Sequence, residues 1–327
     1  MRIPYQQLKT EFERILTSLD VNSTVARAIA TIFADNSRDG VLSHGLNRFP
    51  TFIEYIKEGL VVPDAVPTKL NAFGAIEQWD GNLGPGMLNA RFCMDRAMFL
   101  AEDNGIGCVA IKNTNHWMRG GTYGQQAADA GYIGICFTNT IANLPPWGGT
   151  EPRLGNNPLI IAIPREGGNV VLDMAISQYA FGKLWQYEAQ NKPLPVPGGY
   201  DKEGKLTTNA AAITESKRAL PIGFWKGSGL SLVLDLLATI LSGGDSTAVI
   251  TQSGRKETGV SQVFIAIKTD KEKNASLIEQ IIEYTKSSQS DGEILFPGES
   301  MLRTREESLK NGVWVDEGAW AKIKNYK

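Results

Sequence analysis

Apolar residues recur at helical spacing from the start of the chain: Leu8, Phe12, Ile15, Leu16 and Leu19 share one face, so a helix is predicted from Tyr5. Asp20 to Ser23 supply turn and cap residues for a second helix that runs through Ile32 and Phe33. A third is predicted from Phe49 to Glu58, stopped by Gly59. The pattern then lapses, and the proline-containing stretch Val61 to Ala75 reads as an irregular boundary. Leu88 to Asn104 is again amphipathic and is closed by Gly105, while the unbroken apolar run Gly107 to Lys112 reads as a buried strand.

Gly131 to Thr138 is a second strand-like run, followed by a turn-rich stretch from Asn139 to Asn157. Leu159 to Ile163 and Val170 to Leu172 flank the charged turn Arg165-Glu166-Gly167-Gly168, which predicts a hairpin and antiparallel pairing. Gln178 to Gln190 is predicted helical, and Lys192 to Gly199 is too proline-rich for a regular element. The helix Leu230 to Leu241 is apolar nearly all round and is expected to be buried. Beyond it come a strand over Ser261 to Lys268, a helix over Ala275 to Ser287 and a short strand at Ile294 to Phe296. Ser300 is the expected cap of a closing helix that reaches Lys310 and stops at Gly312. The elements divide into a helical part, residues 1–72 joined by 297–327, and a sheet part over residues 73–296.

Composition narrows the function classes. A formal net charge of -2 with no long basic run argues against nucleic acid and against an anionic membrane surface. No run of about eighteen apolar residues and no signal-peptide pattern occur, which gives a cytoplasmic reading. Cys93, Cys108 and Cys136 lie in apolar settings and read as reduced core residues. With no paired-cysteine spacing and two distant histidines, no metal site is expected.

The chemistry concentrates at Ser43-His44-Gly45-Leu46-Asn47-Arg48. An imidazole titrates near neutrality and can protonate an oxygen that gains charge. A guanidinium matches a carboxylate in two-point fashion. His44 and Arg48 therefore suit a small 2-oxo acid, although a solvated loop histidine beside a surface arginine has the same spacing. A second histidine lies in Asn113-Thr114-Asn115-His116-Trp117-Met118-Arg119-Gly120-Gly121, where a strand passes through a glycine turn into a helix start that favours anions. The glycine spacing is not that of the doubly wound dinucleotide fold.

Ser43 to Arg48, Asn113 to Trp117, Gly155-Asn156-Asn157-Pro158-Leu159, Asp173-Met174-Ala175 and Trp225-Lys226-Gly227-Ser228-Gly229 together resemble, in order and over essentially the whole chain, the motifs of the type-2 malate/L-lactate dehydrogenases. The resemblance implies a nicotinamide-dependent 2-oxo acid reductase with a non-Rossmann α/β (α+β) fold: a mixed, largely antiparallel sheet plus a helical part from both chain ends. It implies that His44 protonates the substrate carbonyl, that Ser43 and Asp173 form a relay orienting the imidazole, and that Arg48 holds the carboxylate, with His116 and Trp147 lining the substrate. His116, Gly120 and Gly121 would meet the nicotinamide end. Asn169, Val170, Val171, Leu172, Asp173, Met174, Ala175, Trp225, Lys226, Gly298, Glu299 and Ser300 would contact the rest of the cofactor. NADH is the expected cofactor, and Arg165 keeps NADPH open. A homodimer is implied, with a small keto acid as the substrate.

Overall fold

The computed structural model describes residues 1–326. A seven-stranded sheet forms its centre, in the order Thr68–Phe73, Ile76–Asp80, Ile106–Asn115, Thr258–Lys268, Tyr132–Thr138, Leu159–Ile163 and Val170–Met174. Every neighbouring pair is antiparallel except Ile76–Asp80 beside Ile106–Asn115, so the sheet is mixed and largely antiparallel, as expected. The predicted hairpin is present, with Leu159 opposite Met174 and Ile163 opposite Val170. It leaves Val170–Met174 as a sheet edge.

The helices Tyr5–Thr17, Ser23–Arg38 and Phe49–Lys57 form where the helical period predicts them. Asn22 caps the second by accepting the Thr24 N–H at 2.9 Å. The two chain ends join: Arg2 pairs with Trp314 and Ile3 with Val313 in a small antiparallel ladder. One hydrophobic cluster runs from Phe12, Phe33 and Phe49 through Met94 and Ala97 of the helix Gly86–Asn104 to Phe264 of the sheet, and takes in Val313 and Trp320 near the C-terminus. The strand Thr68–Phe73 spans the expected boundary at residue 72. Cys93 and Cys136 are buried and all three cysteines are free thiols.

Four expectations are corrected. Val61 to Ala75 is not wholly irregular, because Thr68–Phe73 pairs with Ile76–Asp80; the outer strand is exposed at every position and so carries no alternation to read. The apolar helix, which spans Trp225–Ser242, is buried on one side only: it packs on the sheet through Leu234 and Ala238 while Leu236 and Ile240 are 50% and 69% exposed. Ile294 to Phe296 is not a strand. The helix that follows is Glu299–Asn311 with Gly298 at its cap position, so Ser300 lies inside its first turn, and a further helix, Glu317–Lys324, comes after it. Gly298 adopts φ 98°, a region open to glycine, and a Cβ there would stand 3.2 Å from the Val171 nitrogen.

Candidate active site

Ser43 and His44 lie on a short 3₁₀ turn, Leu42–His44, between the second and third helices. Buried polar residues at the end of the second helix hold that turn. Asn36 donates to the His44 carbonyl at 3.0 Å, and Ser37 Oγ accepts the Leu46 N–H at 2.9 Å. Gly45 permits this contact, since a Cβ there would come within 2.3 Å of Ser37 Oγ. Ser43 Oγ lies 3.0 Å from His44 Nδ1, which leaves Nε2 free for a ligand.

Four charged groups and a second imidazole converge on this ring. Burial pushes the His44 pKa below its usual value, the Asp173 carboxylate pulls it back up, and the Arg48 guanidinium adds to the downward push, with smaller effects from Glu257 and Arg119. The His116 ring stacks on that of His44 with centroids 5.6 Å apart. Burial holds His116 neutral, with its pKa lowered to about 3. Its Nδ1 accepts the Met118 N–H at 3.0 Å, so its proton is on Nε2. Met118 adopts φ 65°, unusual for a residue with a side chain, to make that contact.

Asp173 projects from the edge strand and accepts the Gly121 N–H at 2.9 Å; a Cβ on Gly121 would stand 2.6 Å from the same carboxylate oxygen. Arg119 Nε lies 3.6 Å from it and Arg119 Nη1 donates to Asp39 at 2.9 Å. Burial would raise the Asp39 carboxyl, but Arg305 and Arg38 hold it below the usual range. Arg48 forms an ion pair with Glu257, in the loop before the central strand Thr258–Lys268. A cavity of about 10 Å³, enough for one water, lies behind them between Arg48, Tyr55, Asn115 and His116.

His44, Ser43, Asp173, Arg48 and His116 are thus brought together. The Trp147 ring packs on Phe224 with centroids 5.3 Å apart, and the Trp147 backbone N–H donates to Ser228 Oγ at the start of the helix Trp225–Ser242. Two charged groups escaped sequence reasoning. Arg119 was read only as part of the stretch from His116 to Gly120, and Glu257, in Arg255-Lys256-Glu257, carries no signal that separates it from a solvated turn.

The residues expected at the cofactor border the edge strand. Val171 donates to the Pro297 carbonyl at 2.8 Å, which sets Gly298, Glu299 and Ser300 beside Asn169, Val170, Val171 and Leu172. Past Met174 and Ala175, Ile176 accepts the Ile222 N–H at 2.9 Å, which brings up Phe224, Trp225 and Lys226. Phe224 adopts φ 59° and ψ -116°, a strained conformation for a side-chain-bearing residue. Glycines at 121 and 298 stand where a Cβ would crowd Asp173 or Val171, and the helices Trp225–Ser242 and Glu299–Asn311 both begin beside the segment that runs from Val171 to Ile176. That combination fits an elongated anionic group such as a dinucleotide.

The family model for malate/L-lactate dehydrogenase matches residues 3–324. The chain belongs to that family. A 2,3-diketo-L-gulonate reductase of Citrobacter koseri is 47% identical over 331 aligned positions that cover 99% of each chain. Among solved structures, sulfolactate dehydrogenase from Methanocaldococcus jannaschii superposes with TM-score 0.91 at 30% identity, covering 100% of this chain and 96% of its own. A delta1-piperideine-2-carboxylate reductase from Pseudomonas syringae superposes with TM-score 0.88 at 25% identity, and both chains are covered completely. Shared family membership accounts for the expected order of motifs along the whole chain.

Proposed function

We propose that the protein reduces 2,3-diketo-L-gulonate to 3-keto-L-gulonate with NADH, and that His44 is the proton donor at the 2-oxo group. Its family makes it an oxidoreductase, and its full-length 47% identity to a reductase of this name supports the substrate. The observation that carries the mechanism is the cluster around His44: a hydroxyl on Nδ1, a carboxylate partner, a neutral imidazole and a guanidinium.

Arg48 would hold the substrate carboxylate through its fork of donors. The neutral His116 offers an N–H to a substrate oxygen without adding charge. His44 gives up a proton from Nε2 to the carbonyl oxygen, and Ser43 with Asp173 fixes its ring orientation and favours its protonated form. A bound nicotinamide supplies the hydride that becomes the new C–H bond. Gly120, Gly121, Asn169 to Ala175, Trp225, Lys226 and Gly298 to Ser300 would hold it along the edge strand. NADH is favoured over NADPH because the Nε–Nη2 edge of Arg165 is bonded to Glu279 at 2.7 and 2.9 Å and Nη1 donates to the Gly168 carbonyl at 3.3 Å, so a ribose phosphate would have to compete with Glu279 for that arginine.

The same reading makes the protein a cytoplasmic homodimer of sugar-acid breakdown. No described helix is long and apolar enough to cross a membrane. The uncovered face of Leu232, Leu236 and Ile240 suits a second copy. NADH consumption with 2,3-diketo-L-gulonate, pyruvate and oxaloacetate in parallel tests the reading. The highest kcat/KM is expected with the diketo acid, and turnover of none of the three would refute it.

A further inference from the structure

We infer that Glu257 determines substrate specificity, by reserving the Arg48 site for keto acids with one carboxylate and disfavouring dicarboxylates. The inference rests on the keto-acid reductase reading given above. Its starting point is the charge balance around Arg48. The guanidinium already carries an ion pair to Glu257, and the two side chains are 21% and 25% exposed. Burial pushes the Glu257 carboxyl up, but the Arg48 guanidinium paired with it holds it below the usual carboxylate range, so Glu257 is an anion at neutral pH. His116, the neighbour on the other side, is neutral. The space that receives the substrate therefore holds one cation and one permanent anion at its carboxylate end.

A single substrate carboxylate can share the Arg48 fork, because the pair engages Nη2 and the guanidinium has further donors. A four-carbon dicarboxylate with one carboxylate on Arg48 brings a second negative charge that its short chain keeps within about 10 Å of Glu257. The other cations nearby are taken: Lys256, over the same Tyr55 ring as Arg48, is bonded to Glu58, and Arg119 is bonded to Asp39 and lies beside Asp173. The second carboxylate thus meets repulsion without a partner, whereas the hydroxyl groups of a sugar acid can donate to Glu257. At an effective dielectric constant of ~20 to 40 the repulsion amounts to roughly a tenfold discrimination.

The test uses the full-length protein and its Glu257→Gln variant, with kcat/KM measured for oxaloacetate and pyruvate. The ratio of oxaloacetate to pyruvate is expected to rise about tenfold in the variant, mainly through a lower KM for oxaloacetate. Glu257→Asp, which keeps the charge, should retain the original ratio. An unchanged ratio in a Glu257→Gln protein with an unaltered melting curve would overturn the inference. Glu257→Ala carries the same expectation if the glutamine variant does not fold. Titrations of the wild type and variants with tartronate and oxamate, one a dicarboxylate and the other a monocarboxylate, read the same discrimination without turnover. If no acid is turned over, the reductase reading fails, and the tartronate-to-oxamate affinity ratio still decides the role of Glu257.

Discussion

At the scale of single residues, the site places two imidazoles in different states. His116 is held neutral by burial and donates from Nε2, whereas His44 is suspended between burial and the Asp173 carboxylate and can exchange a proton. Under the proposed mechanism reduction needs protonated His44, so its rate should fall as pH rises through the His44 pKa, which lies below the usual 6.5. Asp173→Asn removes the charge that raises that pKa. The falling limb of the pH–rate profile should then move to lower pH, and an unmoved limb would exclude Asp173 from the relay. Stability should respond to His116 with the opposite slope. Its folded pKa of about 3 lies below the unfolded 6.5, so the unfolded chain binds more protons between these values and stability is lost as pH falls through that window. Each pH unit removes about 1.4 kcal/mol. Urea unfolding at pH 7 and pH 5 measures this loss, which His116→Gln should reduce, the remainder coming from His44, whose folded pKa is also lowered.

At the scale of elements, the turn Leu42–His44 depends on the helix before it. A Cβ at Gly45 would collide with Ser37 Oγ and approach the Ser37 nitrogen within 2.8 Å, so Gly45→Ala should cost roughly 1–3 kcal/mol in urea unfolding and lower kcat by moving His44. The helices were legible because Leu8, Phe12 and Ile15, or Ile29 and Phe33, repeat at a period that burial enforces. The hairpin was legible from two apolar runs around a glycine turn. The outer strand Thr68–Phe73 was not, since with both faces exposed its sequence is free of the alternation that marks a buried edge. The cap position at Gly298 was missed for a different reason: the local signal favoured Ser300, and it is the close passage of Val171 that demands glycine two residues earlier. His44 and Arg48 announced themselves by rarity and spacing, but Glu257 reaches Arg48 across 209 residues of sequence, and no local pattern encodes such a meeting.

At the scale of the whole molecule, the helix Trp225–Ser242 shows what a single chain leaves unfinished. Its inner face lies on the sheet and its outer face keeps Leu232, Leu236 and Ile240 about half or more exposed. Under the homodimer proposal, sedimentation should give twice the chain mass, and Leu236→Glu with Ile240→Glu should shift it toward the monomer. A monomeric wild type would remove that part of the account.

The central claim is that His44 delivers the proton in a chain that belongs to the malate/L-lactate dehydrogenase family and shares its fold. Its most direct measurement is turnover and NADH binding by His44→Gln beside the wild type. The account predicts a rate lower by roughly two to four powers of ten with NADH affinity unchanged. A substituted enzyme that kept most of its rate would contradict it.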